Sequence, residues 1–123
     1  MTSLQKAKTK LLKTAMILEG FGKLQKAARY YAQAEEYVKS ARLYEGIRDF
    51  DKAGDSYYAA GKLREALKMY LRAGRKDRKI AILYEKTGNY RKAADLWKSL
   101  EHTRNWKRCL LQSRQLSLFD LNP

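Results

Sequence analysis

Cysteine and histidine, two residue types on which many enzyme and metal sites depend, are almost missing from this sequence. Its 123 residues include one of each, Cys109 and His102. A single thiol excludes an internal disulfide and fits a reducing compartment. Neither residue stands in a nucleophile and base motif or in a set of metal ligands. We therefore expect a protein that is not an enzyme and that holds no cofactor and no metal, with His102 in a turn and Cys109 in the core.

Proline, glycine and long apolar runs are also scarce. The one proline is Pro123, so no proline breaks a helix inside the chain. The seven glycines lack the spacing of phosphate-binding loops. No apolar stretch approaches the roughly 20 residues that span a bilayer, and the N-terminal residues contain no apolar segment of the signal-peptide type. These absences predict a soluble, cytoplasmic protein without a membrane partner.

Negative charge is in short supply as well. The chain has 27 Lys and Arg residues against 13 Asp and Glu residues, and its formal net charge is +14. Such an excess favours a polyanion or an acidic protein surface as partner, and it carries no information about the fold.

The abundant feature is an internal repeat. An aromatic residue or a leucine recurs every 13 residues, with one interval longer by one residue, and these positions are Leu18, Tyr31, Tyr44, Tyr57, Tyr70, Tyr84 and Trp97. Repeats of fixed length are typical of proteins built from stacked structural units.

The residues around the aromatic positions lie at helical offsets. In the repeat around Tyr57, Phe50 precedes the aromatic by seven residues, Ala53 and Gly54 precede it by four and three, and Ala60 follows by three. These offsets form one stripe of an α-helix of about three turns. The small pair lets neighbouring helices approach closely, and Gly54 takes part in that close packing.

Short amphipathic helices of this kind bury their stripes only by stacking on one another. We expect Gly61, Gly74 and Gly88 to mark helix ends, and a last helix to run from an N-cap at Thr103 to about Gln112. The sequence therefore predicts an all-α fold, an α-solenoid of about eight short antiparallel helices over residues 1–113, followed by a flexible tail over residues 114–123.

The segments "YEGIRDFDKAGDSYYAAGKLREALKMY" and "YEKTGNYRKAADLW" resemble tetratricopeptide-like helical repeats, over roughly residues 15 to 100. The resemblance implies a scaffold. Two units here span 26 residues, whereas the tetratricopeptide repeat has about 34, so its peptide-binding groove does not carry over.

The tail contains a short sequence of a second known kind. Gln115, Leu116, Ser117, Leu118 and Phe119 resemble the pentapeptide by which bacterial DNA polymerases and repair proteins bind the β sliding clamp. The resemblance implies that the Gln115 amide forms a hydrogen bond at the edge of the clamp groove, that Leu118 and Phe119 fill an apolar pocket and that Leu116 packs alongside. An archaeal or eukaryotic clamp is the runner-up, because that clamp-binding box is matched only at Gln115 and Leu118. The alternative is that the apolar side chains fold back as a cap on the last helix.

Two basic clusters are candidates for contact with nucleic acid. The repeat that contains the extra residue has charged residues where the others have apolar ones, and its cluster consists of Arg72, Arg75, Lys76, Arg78 and Lys79. At a helix junction these side chains could meet phosphates together with the first amides of the next helix. The second cluster is the outer face of the first helix, with Lys6, Lys10 and Lys13. A solvated, solubilising turn is the alternative interpretation of the first cluster.

These observations combine into one functional hypothesis. We expect a DNA replication or repair accessory protein, or a module of one, in which a basic scaffold is tethered to the sliding clamp by its tail and also contacts DNA or another replication protein. Its expected location is the cytoplasm, in association with the nucleoid. Two alternatives stay open, a general protein-interaction scaffold and a nucleic-acid-binding solenoid unrelated to the clamp.

Overall fold

The computed structural model describes the backbone of residues 1–121 and the side chains of residues 1–115. Residues 1–121 form eight α-helices and no strand. The helices are α1 (Ser3–Gly20), α2 (Leu24–Gln33), α3 (Tyr37–Gly46), α4 (Phe50–Ala59), α5 (Leu63–Arg72), α6 (Arg78–Lys86), α7 (Tyr90–Ser99) and α8 (Thr103–Leu121). The predicted all-α class and the predicted number of helices are confirmed.

The chain divides into two compact units. The first unit is Met1–Ala73 and contains α1 to α5, and the second begins at Gly74 and contains α6 to α8. Inside each unit every helix packs mainly on its neighbours in sequence, as in a helical-repeat solenoid. The division falls in the link between α5 and α6, where the repeat has its extra residue.

The predicted stripe forms the core of the helices. Both small residues are buried in four of the helices, and these pairs are Ala27 and Ala28, Ser40 and Ala41, Ala53 and Gly54, and Ala93 and Ala94. At Gly54 there is no room for a larger side chain, since a Cβ there would lie 2.6 Å from Cδ1 and Cε1 of the Tyr70 ring. The close packing predicted for Gly54 is therefore present between α4 and α5.

Six of the seven turns between these helices close in the same way. The carbonyl of the aromatic position accepts a hydrogen bond from the amide five residues later, as when Asp49 donates to Tyr44 over 2.9 Å. The residue directly before the donating amide has a positive φ, for example Gly61, Gly88 or Arg48. This is the Schellman motif, which satisfies carbonyl groups at the helix end. Gly61, Gly74 and Gly88 take the left-handed conformation predicted for them.

One residue serves both sides of each such turn. Asp49 closes α3 through its amide, and it is also the N-cap of α4, because its carbonyl accepts from Ala53 over 3.0 Å and its side chain accepts from Lys52. The three turn residues 47–49 and the ten residues of α4 together make up the 13-residue period.

Carboxylates bind several of the buried rings in the first and second units. The acid directly follows the aromatic position of one helix and accepts from the ring of the next helix, in the pairs Glu19 and Tyr31 (2.7 Å), Glu45 and Tyr57 (3.0 Å), and Glu85 and Trp97 (2.7 Å). Each ring thus buries its apolar body while its polar atom stays hydrogen-bonded at the border of the core.

The last helix is longer than the sequence predicts. An end near Gln112 is expected, whereas the backbone stays helical to Leu121. No proline or glycine stands between residues 113 and 121, so nothing in the chain stops the helix there. The side chains from Leu116 onward lie outside the described residues, and the flexibility of residues 114–123 stays a prediction.

Candidate functional site

A basic concavity of the first unit lies at one edge, lined by residues of α3, α4 and α5 and of the turn between α3 and α4. This basic cleft has a volume of about 510 Å³, and it is lined by Arg42, Glu45, Gly46, Arg48, Phe50, Tyr57 and Arg72. The lining comes from the end of α3, the turn after it, helix α4 and the last residue of α5. Three guanidinium groups therefore face one opening.

The Phe50 ring organises two of these arginines. The Cζ atom of Arg72 lies 4.4 Å from the ring centroid, and that of Arg48 lies 5.6 Å from it. Both distances are within the range of cation–π attraction. Since guanidinium groups stack well on aromatic faces, Phe50 holds both side chains near the cleft.

Positive charge in the basic cleft is poorly neutralised. Among the described residues no carboxylate lies within ion-pair distance of Arg42, Arg48 or Arg72. The one lining carboxylate, Glu45, accepts the hydrogen bond of Tyr57. Burial and then this bond to Glu45 raise the pKa of Tyr57, so that the phenol stays neutral.

Two further clefts continue along the same edge. One of about 490 Å³ shares Arg48 and Phe50 with the basic cleft and is also lined by Asp49 and Asp51. The next, of about 600 Å³, shares Gln25 and Ile47 with the second and reaches the turn between α1 and α2. We call the three together the edge groove. Alternate turns of antiparallel helices come to the same edge, which explains why the groove can run across the first unit.

The predicted basic turn is organised differently from the expectation. Arg75 is paired with Asp77, its Nη2 lying 2.5 Å from Oδ2. Asp77 is the N-cap of α6 and accepts from the Ile80 amide over 3.3 Å. Although burial opposes it, the hydrogen bond from Arg75 and the backbone bonds lower the pKa of Asp77. A carboxylate thus occupies the position at which the first amides of α6 were expected to assist a phosphate.

The other predicted basic residues are distributed over the surface. Lys76 and Arg78 are exposed beside Asp77, Lys79 is half-buried, and Lys6, Lys10 and Lys13 are exposed on α1. Arg72 is the member of the predicted set that reaches the basic cleft. Sequence reasoning missed its companions Arg42 and Arg48, because they belong to different repeats and only folding brings them together.

The proposed clamp-binding residues lie at the end of α8. The side chain of Gln115 is exposed. The backbone of Leu116, Ser117, Leu118 and Phe119 is helical, and their side chains lie outside the described residues.

His102 and Cys109 take structural positions in the second unit. His102 sits in the turn before α8, with its ring edge-on to Trp97 at 5.1 Å between centroids. Cys109 is buried in a cluster with Ala81, Ala93 and Trp97, and burial is the main cause that raises the pKa of its thiol. Both placements agree with the prediction.

Two further kinds of feature are absent from the described residues. These residues contain no group of three or more His, Cys, Asp or Glu side chains arranged to hold a metal ion. None of their helices is long and apolar enough to cross a membrane.

Comparison with known proteins places the chain in a family. No curated protein and no solved structure matches it. The sequence model of one family, "Soluble NSF attachment protein, SNAP", matches residues 1–119, which is nearly the whole chain. The match covers both units and all the repeats described above. The chain belongs to the soluble NSF attachment protein family.

Proposed function

We propose that this chain is a protein-interaction scaffold whose edge groove binds an acidic segment of a partner protein. Membership of a family named for attachment to another protein supports the scaffold. The edge groove supplies the chemistry, because its basic cleft holds arginines without carboxylate partners among the described residues.

The observation that carries the proposal is the coincidence of exposed apolar and basic side chains along the edge. Phe21 is 78% exposed and Ile47 is 37% exposed, at two turns of this edge. Lys23 and Lys26 line the groove near the first of these turns. Mixed apolar and basic surfaces are typical of protein interfaces, where apolar burial provides affinity and charge selects the partner.

Calorimetry with a synthetic acidic dodecapeptide tests the proposal, with a neutral peptide of the same length for comparison. Reversing two groove charges, Lys23→Glu with Arg48→Glu, should weaken binding of the acidic peptide about tenfold. The matched control reverses two exposed charges of α7, Arg91→Glu with Lys92→Glu. It should change binding by less than about twofold. Equal losses in the two variants would mean that net charge alone attracts the peptide.

A second candidate function is tethering to a sliding clamp through residues 115–119. Its support is the sequence of these five residues, which the scaffold does not explain. An extended clamp-bound peptide would require the last turns of α8 to unwind. Terminal turns open at little cost, and the ordering of the released peptide limits its affinity to roughly the micromolar range.

Titration of purified bacterial β clamp with the full chain tests the tether, with an archaeal or eukaryotic clamp as the second arm. Phe119→Ala should weaken binding by about 2 kcal/mol or more if Phe119 fills an apolar pocket. Leu111→Ala, at an exposed position of the same helix, is the matched control. If Phe119→Ala instead lowered the melting temperature and no clamp bound, these residues would be a cap on the fold.

A further inference from the structure

The basic cleft concentrates more positive charge than a single carboxylate can neutralise. Arg42, Arg48 and Arg72 all line it, and the described residues offer none of them an ion-pair partner. Like charges that face a common opening repel one another. A ligand with more than one negative charge would relieve that repulsion best.

We infer that the basic cleft recognises a phosphate monoester, carried by a phosphorylated side chain of the partner segment that binds the edge groove. The inference rests on the function proposed above, and it specifies the chemical group that the basic cleft receives.

Charge and geometry favour a phosphate monoester over a carboxylate. A phosphorylated serine, threonine or tyrosine carries about −1.5 to −2 charges near neutral pH and presents three acceptor oxygens. A carboxylate carries one charge and two oxygens. The planar fork of each guanidinium matches phosphate oxygens in pairs, so arginines that line one opening suit a group with several acceptor oxygens.

Two of the three arginines are also positioned before a ligand arrives. Phe50 contacts both Arg48 and Arg72. The backbone of Arg48 is fixed within the Schellman turn, where its amide donates to Glu45 over 3.0 Å and the next amide closes the turn onto Tyr44. Side chains that are ordered before binding lose less conformational freedom on binding, which favours affinity.

The three arginines of the basic cleft line one opening of about 510 Å³. A nucleic-acid backbone would offer phosphate diesters, each with a single charge, spread along a strand. The observations therefore favour the monoester, and a nucleic acid becomes one outcome of the test.

The test uses calorimetry on the full chain with three acidic dodecapeptides that differ only at a central residue, which is phosphoserine, glutamate or serine. The phosphoserine peptide should bind at least about tenfold more tightly than the serine peptide, with the glutamate peptide nearer to serine. Since the second pKa of a phosphate monoester is about 6, the advantage should shrink when the pH falls from 7.5 to 5.5.

Single substitutions test which arginines produce the binding advantage of the phosphoserine peptide. Arg42→Gln and Arg72→Gln should each remove most of the phosphoserine advantage, and Arg72→Lys should keep part of it because the charge remains. Arg64→Gln is the matched control, as Arg64 is an exposed arginine of α5 outside the lining of the cleft. Melting temperatures of all variants should stay near that of the parent. The arginines that stack on Phe50 are Arg48 and Arg72, so the Arg42 variant tests the cleft even if Arg72→Gln disturbs Phe50.

The possible outcomes separate the two proposals. Equal binding of all three peptides would overturn the monoester inference and leave the scaffold intact, whereas no binding of any peptide would contradict the scaffold as well. Competition by a single-stranded oligonucleotide as strong as that by the phosphoserine peptide, lost in the same variants, would assign the cleft to nucleic acid and overturn the inference. A phosphoserine advantage that survives Arg42→Gln and Arg72→Gln would also overturn it.

Discussion

At the scale of the residue, the fold depends on how close two helices can come. Gly54 of α4 faces the ring of Tyr70, which is fully buried and whose hydroxyl donates to Asp55. The ring is thus held both by packing and by a hydrogen bond, and it cannot easily give way to a larger neighbour.

Gly54→Ala should therefore destabilise the protein although alanine is the better helix former. The gain in helix propensity is about 1 kcal/mol, and overpacking of a close contact costs about 1–3 kcal/mol. We expect a net loss of about 1 kcal/mol, measured by thermal or denaturant unfolding. Gly20→Ala is the control, because a Cβ at Gly20 meets nothing within 4 Å. A more stable Gly54→Ala variant would contradict the close packing.

Tyr31 gives a second prediction at this scale. Its hydrogen bond to Glu19, followed by burial, raises its pKa to about 12 from 10.0. Because the folded state favours the neutral phenol, this contribution to stability is complete below pH 10 and is lost as the pH rises towards 12. The difference in phenolate absorbance between the parent and Tyr31→Phe should show ionisation near pH 12. Glu19→Gln should shift that ionisation to lower pH, and an unchanged titration would argue against the bond.

At the scale of the element, Glu85 ties the three helices of the second unit together. This residue of α6 accepts from Trp97 of α7 over 2.7 Å and from Arg108 of α8 over 2.6 Å. Burial tends to raise the pKa of Glu85, but the bonds from Arg108 and Trp97 outweigh it and lower that pKa.

Glu85→Gln should lower the stability of the second unit by about 1–2 kcal/mol, since hydrogen bonds to a charged group are lost and Arg108 is partly exposed. A lowered folded pKa means that the contribution is present above the ordinary carboxyl value of 4.5 and disappears as the pH falls below it. The difference between the parent and the variant should therefore be largest near neutral pH and should shrink as the pH falls below 4.5 and through the lowered pKa of Glu85. Asp95→Asn, at an exposed acid of α7, should show no such pattern.

The elements also show how far sequence reasoning reaches. The stripe around Tyr57 and the glycine ends were predictable, because periodic burial and left-handed turns leave local patterns. Glu101 takes the left-handed conformation without being glycine, and so its turn left no composition signal. The basic cleft was not predictable, since Arg42 and Arg72 lie 30 residues apart in the sequence. An acid directly follows Leu18, Tyr44 and Tyr84 in the sequence, and this local pattern is a signal for the ring-to-carboxylate bonds.

At the scale of the whole molecule, each of the two units contains a hydrophobic cluster. The first has a cluster around Ala15, Ala27 and Tyr31, and the second has one around Trp97 and Cys109. Compact units with their own cores can unfold as separate cooperative blocks. Both tryptophans of the chain, Trp97 and Trp106, belong to the second unit.

Two probes of unfolding should therefore separate in a variant of the first unit. Circular dichroism follows the unfolding of all the helices, including α1 to α5, and Gly54→Ala should lower the midpoint of the part that comes from α1 to α5. The midpoint measured by tryptophan fluorescence, which reports on the second unit, should stay unchanged. Glu85→Gln serves as the reciprocal variant, since it should lower the fluorescence midpoint. Coincident shifts of both probes in both variants would show a single cooperative block.

Because one turn residue both ends a helix and begins the next, the repeat can be duplicated as a 13-residue block. A 13-residue block cut at Asp49 and at Lys62, two residues in this role, starts and stops with the same backbone geometry. Tandem duplication of that block would create no new kind of junction. One added block would reverse the chain direction downstream and move every later turn to the opposite edge, whereas two added blocks would restore it. Gene duplication in this family can therefore preserve a surface built from turns on one edge only when blocks are gained in pairs.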